Sequence, residues 1–253
     1  MTSNFTALRL LFGVRGDARE AALQCEADVF GHWYGNTRDQ LAQEYSEFEA
    51  ETEFLVVLDD QDQAVAAARI IVSSTGRLKT FEDVQRPPWS LSLDHIVERT
   101  GLDVESCWDI ATLGVRPQLR ARGLFAAAAL YHGLIAATRV NRIRSVVAIL
   151  DDRVRSVLGS VSLDLRPIPG AASAHYLGSA YSTPVFGHCA DMVDRQRRTN
   201  PEAYRFVTEG IGLDSVELGV AEDFRLPVLV DLREPATTVI RLDTPVGSSR
   251  GAW

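Results

Sequence analysis

The chain has 253 residues, 46% of them hydrophobic and 24% charged, with a formal net charge of −8. That apolar content is enough for a sizeable core and excludes extended disorder. The acidic balance excludes a general nucleic-acid binder, which needs basic surface to neutralise phosphates. No run nears the roughly 20 apolar residues that cross a bilayer. The first 13 residues lack a basic start, a long apolar stretch and a small-residue cleavage site, so the expectation is an unexported, cytoplasmic protein without a membrane span.

Between Asp17 and His32 apolar residues recur at Ala18, Ala21, Ala22, Cys25 and Val29. This is the stripe of an amphipathic helix, with Asp17 and Glu20 as its capping pair. Glu53 to Leu58 and Ala64 to Val72 are rich in strand formers, and the polar Asp59 to Gln63 between them reads as a hairpin loop. Short helices follow at Thr80 to Val84 and Leu93 to Thr100, separated by Arg86-Pro87-Pro88 and closed by Gly101. Cys107 to Val115 resumes strand character. A loop from Arg116 to Leu119 then leads into Arg120-Ala121-Arg122-Gly123, which opens an alanine-rich helix to about Thr138.

Arg144 to Leu150 reads as a buried strand, Asp151 to Leu158 as a helix with an aspartate start and a Gly159 stop, and Val161 to Pro167 as another strand. His188 to Arg198 and Pro201 to Glu209 read as helices, the second capped by Asn200 with Pro201 at its first position. Leu226 to Leu232 has strand character, and the residues from Ala236 onward look loosely ordered. The β-α-β-α-β order implies an α/β protein, with helices packed on a mixed sheet and no repeat or linker dividing it.

Three cysteines, Cys25, Cys107 and Cys189, form neither a disulfide framework nor a thiolate metal site, and the five histidines show no ligand spacing; no metal is expected. Basic residues are 25 Arg and the single Lys79. A helix start leaves backbone N–H groups without intrahelical partners and carries partial positive charge. The entry from Arg120 to Phe125 therefore reads either as an anion site with two arginines beside it or as an ordinary surface helix start.

Leu113-Gly114-Val115-Arg116-Pro117-Gln118-Leu119-Arg120-Ala121-Arg122-Gly123-Leu124 resembles the acyl-CoA signature of the GNAT superfamily of N-acyltransferases, with Arg120 to Gly123 matching Arg-x-x-Gly. Ala27 to Phe30, Glu44 to Glu49, Phe54 to Ile71, Trp108 to Thr112, Tyr176 to Ser179 and Pro184 to Phe186 are similar to segments of the branch holding acyl-homoserine lactone synthases and N-acyl amino acid synthases. The chain departs from that pattern at Phe125, where Gly or Ala is usual. It departs again at Glu26, in the place of an arginine, and at Asp109-Ile110-Ala111-Thr112, in the place of Glu-x-x-Arg.

The resemblance implies a mixed α/β GNAT fold, with residues 1–190 as acyltransferase core and 191–253 as an extension packed on the same domain. It implies transfer of an acyl group from acyl-CoA, or from the phosphopantetheine of an acyl-carrier protein, to the amine of a small molecule or amino acid. Leu113, Val115, Arg120, Arg122, Gly123, Leu124 and Phe125 would hold the donor, with a backbone N–H of Leu113 or Val115 facing the thioester carbonyl. Asp109 would take the amine's proton, Tyr176 or Tyr181 would protonate the leaving thiolate, and Glu49 with Arg69 would bind the acceptor. The departures motivate the other reading, a GNAT-like module that binds an acyl thioester or a partner without turnover. Residues 116–166 carry nine arginines against three aspartates, which suits an acidic carrier protein as donor or else a solvated face.

Overall fold

The computed structural model describes residues 8–73, 75–119 and 122–227. Nine strands make one mixed sheet, in the order β6-β8-β5-β4-β3-β2-β1-β9, with β7 paired to β8. They are β1 (Leu8–Phe12), β2 (Thr52–Leu58), β3 (Ala64–Ile71), β4 (Cys107–Val115), β5 (Ser145–Asp151), β6 (Arg166–Pro167), β7 (Ala174–Tyr176), β8 (Ser179–His188) and β9 (Val216–Glu217). The helices are α1 (Gly16–Tyr34), α2 (Arg38–Tyr45), α3 (Lys79–Val84), α4 (Leu93–Thr100), α5 (Arg122–Val140), α6 (Asp152–Ser160), α7 (Cys189–Thr199) and α8 (Pro201–Ala203), the last running into a π-turn over Tyr204–Thr208.

Strand periodicity sorts the core onto two faces. On one face Leu55, Val57, Ile110, Val146 and Ala148 pack against Ala126, Ala129 and Leu130 of α5. On the other, Phe54, Val56 and Ala67 pack against Ala22, Cys25 and Val29 of α1, and Ile71, Cys107 and Val147 pack against Phe81 and Val84 of α3 and Ile96 of α4. Helix α5 is long and apolar enough, by length and composition, to cross a membrane, and one face of it is buried in this core. Helix α1 lies so close to β4 that a Cβ on Gly114 would sit 2.6 Å from Val29 Cγ1.

The hairpin of β2 and β3, strand β4, helix α4 with its left-handed Gly101 cap, and the Asn200 cap with Pro201 follow the sequence expectation. Other elements differ. Arg15 occupies the N-cap of α1 and makes no side-chain cap, so Asp17 lies inside the first turn rather than at its head. Gly159 does not stop α6, which runs through it to Ser160 under an Asp151 cap. Only Arg166 and Pro167 of the expected strand from Val161 pair with β8, because Val161, Ser162 and Leu163 close turns back onto α6. Of the strand expected from Leu226 to Leu232, residues 226 and 227 are not extended ladder and the rest lie outside the described residues.

Strands β1, β7, β8 and β9 and helix α2 were not anticipated. Pro184 and Gly187 inside β8 interrupt the usual strand signal, yet β8 pairs with β5 continuously from Ser182 to His188. Residues after α7 return to the core: the π-turn packs on α5, and β9 adds a parallel pair to β1.

Candidate active site

Strands β4 and β5 are parallel over three pairs only, from Cys107 with Ser145 to Asp109 with Val147. Strand β4 stays paired with β3 as far as Val115, so the sheet opens between β4 and β5. A register shift leaves Ala111 as an extra residue, a β-bulge that bends β4 at the base of the opening. The Arg116 N–H donates to Val65 O on β3 (2.9 Å). Successive strand amides alternate sides, so the N–H groups of Val115 and Leu113 turn toward the open edge.

The opening is a cleft of about 310 Å³, lined by Ile110 to Val115 of β4, Ile149 to Asp151 of β5, Tyr131 of α5, and Phe30, Trp33 and Tyr34 of α1, with Tyr176 and Leu177 beside them. Toward α5 and α7 it adjoins a chamber of about 390 Å³, lined mainly by apolar groups such as Leu134, Ile135, Leu158, Leu165 and Met192. Ile110, Leu113, Tyr131 and Leu150 border both spaces. On the opposite face a polar cavity of about 530 Å³ lies between α2 and α3, and Leu177 borders both it and the cleft. All three volumes fall within the range of small-molecule sites.

Of the residues expected to hold the donor, Leu113 and Val115 line the cleft. Gly123 lies near the end of β4, where a Cβ would make only ordinary contact with Val115 and Leu119, so the helix start does not require glycine for space. Leu124 is 62% exposed, and Phe125 turns away to stack edge-on against Phe206 at 6.0 Å. Arg122 opens α5 at the cleft's β4 end, and Arg120 lies outside the described residues.

The two tyrosines separate clearly. Tyr181 is 68% exposed on β8 and lines none of the three spaces. Tyr176 lines the cleft, and its hydroxyl donates to Asp83 Oδ2 (2.6 Å) and accepts from Lys79 Nζ (3.2 Å). Burial, with Tyr45 and Asp83 close by, holds the Tyr176 phenol well above its ordinary value, so it carries its proton at neutral pH. Lys79 Nζ also reaches Glu44 Oε1 and Asp83 Oδ2, each at 2.6 Å, and is almost fully buried. Neither Lys79 nor its carboxylate partners were among the sequence candidates. The available signal was that Lys79 is the single lysine beside 25 arginines.

Asp109 is fully buried on the α3 side of β4 and lines none of the three spaces. Its carboxylate accepts the Thr80 N–H (2.5 Å) and the Thr80 hydroxyl (2.9 Å), tying the first turn of α3 to the sheet. Burial pushes the Asp109 carboxyl up to about 7, against the opposing hydrogen bonds from Thr80 and the charge of Lys79.

Arg69 lies beside Glu49, with its Nη1 buried, without a hydrogen-bond partner and 3.5 Å from Glu49 Oε2. Its Nε and Nη2 donate to Glu26 (2.9 and 2.6 Å), and its guanidinium stacks between Tyr45 and Phe54 at 4.5 and 4.8 Å. Thr112 Oγ1 donates to the same Glu26 (2.6 Å). The departures at Glu26 and Thr112 are thus coupled: Thr112 donates to the carboxylate of Glu26, which pairs with a buried arginine that lines none of the three spaces.

No family model matches the sequence, and no curated protein matches it. Among solved structures the fold is similar to that of FeeM, an N-acyl amino acid synthase from uncultured soil microbes, with a TM-score of 0.55 at 11% identity over 75% of this chain and 95% of that one. It is also similar to the CoA-dependent acyl-homoserine lactone synthase BjaI, solved with SAM and isopentyl-CoA, with a TM-score of 0.52 at 15% identity over 76% of this chain and 88% of that one. At these identities the likeness establishes the fold alone, a mixed α/β sheet shared with these two structures.

Proposed function

We propose that this protein is an N-acyltransferase that moves an acyl group from a thioester donor, acyl-CoA or acyl-phosphopantetheine, to a small-molecule amine. One observation carries the reading: the opening between β4 and β5, where free backbone amides meet an apolar chamber able to take an acyl chain. The coenzyme-A dependence of BjaI and the amine chemistry of FeeM add support by analogy of fold alone.

In this reading the pantetheine arm lies along β4, the acyl chain enters the chamber toward α5 and α7, and the thioester carbonyl rests at the bulge. The amine nitrogen attacks the carbonyl carbon, and the oxyanion is held by the N–H groups of Leu113 or Val115. As the C–S bond breaks, the thiolate takes the Tyr176 hydroxyl proton. Lys79 then stabilises the phenolate until it takes up the proton that the attacking nitrogen sheds as the amide forms. The attacking amine must first lose its own ammonium proton. For an α-amino group that ionises near 8, a useful fraction is already neutral at pH 8. Asp109 then acts as the anchor of α3, which presents Lys79 and Asp83 to Tyr176.

The test is thiol release from acetyl-, octanoyl- and palmitoyl-CoA with pooled amines and amino acids. Acceptor-dependent release is expected. Tight thioester binding without release under any pairing would mean a binding module, and neither binding nor release would remove the reading.

A further inference from the structure

Tyr176 pairs with Ser179 across the β7–β8 hairpin, leaving the two-residue turn Leu177–Gly178 with φ +44° and +83°. A two-residue hairpin turn with both central residues in the left-handed region favours Asn-Gly, Asp-Gly or Gly-Gly. Gly178 fits that preference and has a second reason, since a Cβ there would sit 2.4 Å from Tyr34 O at the end of α1. Leu177 does not fit it. A leucine held in the left-handed region is disfavoured relative to Asn or Gly, so its side chain must serve a purpose that the turn itself does not supply.

That purpose is visible in its position. Leu177 borders both the cleft and the polar cavity, directly after Tyr176. On one side of it lie the apolar Phe30 and Leu113; on the other lie Asn36, Gln40, Glu44 and Lys79. Asn36 Oδ1 is buried and has no hydrogen-bond partner, an acceptor that an N–H donor would satisfy.

We propose that Leu177 is the partition between a donor side and an acceptor side, and that it sets which amines reach the thioester from the polar cavity. The acceptor class is a primary amine with a hydrogen-bonding head that rests between α2 and α3. This rests on the acyl-transfer reading above.

The experiment compares wild type, Leu177→Gly and Leu177→Met by acceptor-dependent thiol release over a series of primary amines of increasing bulk, at saturating octanoyl-CoA. Glycine suits the turn, so Leu177→Gly folds with an unchanged or higher Tm. It is expected to raise kcat/KM for bulky amines at least tenfold relative to the smallest one, leaving the KM for octanoyl-CoA within twofold. Leu177→Met, which restores bulk, keeps the wild-type order of amines. An active wild type with a folded Leu177→Gly that keeps the same order, or that shifts only acyl-chain preference, overturns the partition while leaving acyl transfer standing. A wild type that releases thiol with no amine overturns both.

Discussion

The two spaces flanking the opened sheet differ in chemistry. Toward α5 and α7 the lining is aliphatic, with Leu134, Ile135, Leu158 and Met192; toward α2 and α3 it is amide, carboxylate and ammonium, with Gln40, Glu44, Asp83 and Lys79. The strand that divides them explains how both arise from one opening. Side chains of β4 alternate, so Ile110 faces the apolar chamber while Asp109 faces α3. In the proposed function an acyl chain would gain from desolvation on the first side, and an amine would keep its hydrogen bonds on the second. The bulge at Ala111 sits where the two regimes meet.

The largest expected effect breaks the polar side through its anchor. The folded-state carboxyl of Asp109 ionises at about 7, against 3.8 as its ordinary value. Between those two pH values the folded chain binds one more proton than the unfolded chain, so stability falls as pH rises. The full swing is on the order of 4 kcal/mol. Urea unfolding at pH 5 and pH 8 should show about 2.5 kcal/mol of that loss in wild type and a flatter profile in Asp109→Asn. Because the carboxylate does not reach the cleft, Asp109→Asn should keep kcat within about threefold, whereas loss of a general base would cost on the order of 100-fold. A 100-fold loss with unchanged stability would restore Asp109 as the base.

Removing the ammonium comes next. Lys79→Met leaves Glu44 and Asp83 facing each other without their shared cation and should destabilise the fold by about 3 kcal/mol, read by urea denaturation at pH 7. A change below about 0.5 kcal/mol would mean that Lys79 does not hold α2, α3 and β7 together. Tyr176→Phe should lower kcat on the order of 100-fold, about 2.7 kcal/mol, with the thioester KM unchanged; Tyr181→Phe should leave both within twofold. Equal effects from the two tyrosines would erase the distinction drawn from their exposure.

On the apolar side, Ala190→Phe fills part of the chamber and should shift the preferred acyl chain to shorter lengths, with about a tenfold loss for the longest chains and little for acetyl. The smallest effect concerns the donor's carrier. Of the nine arginines between residues 116 and 166, Arg116, Arg144, Arg153 and Arg155 pair with Asp28, Asp103, Asp151 and Asp152. An acyl-carrier protein should therefore outpace the matching acyl-CoA by only a few-fold at low salt and lose that lead at 0.5 M salt. A lead of 100-fold would assign more of this surface to carrier docking.

Much of the sheet was legible because β2, β3, β4 and β5 carry long runs of strand formers and α5 a long apolar stripe. Strand β8 was hidden by Pro184 and Gly187, and β9 by its length of two residues. The capping box of Thr37 and Gln40 that starts α2 was present in the sequence but stood before only eight residues with little apolar pattern. At the candidate site, the resemblance points to Tyr176, Leu113 and Val115, which line the cleft. The Lys79 cluster was not legible, since Glu44, Lys79, Asp83 and Tyr176 come from three separate elements and meet only after folding. Asp109 shows the converse: a charged residue at a suggestive position whose carboxylate is already committed to Thr80.

The central claim is that the acyl chain lies on the α5 face of the opened sheet with its thioester at the Ala111 bulge. A crystal structure with S-octyl-coenzyme A tests it most directly. The sulfur is expected within van der Waals contact of β4 near Ala111 and Leu113, and the octyl chain among Ile135, Leu158 and Met192. An octyl chain lying in solvent or between α2 and α3, with the apolar chamber unfilled, would contradict it.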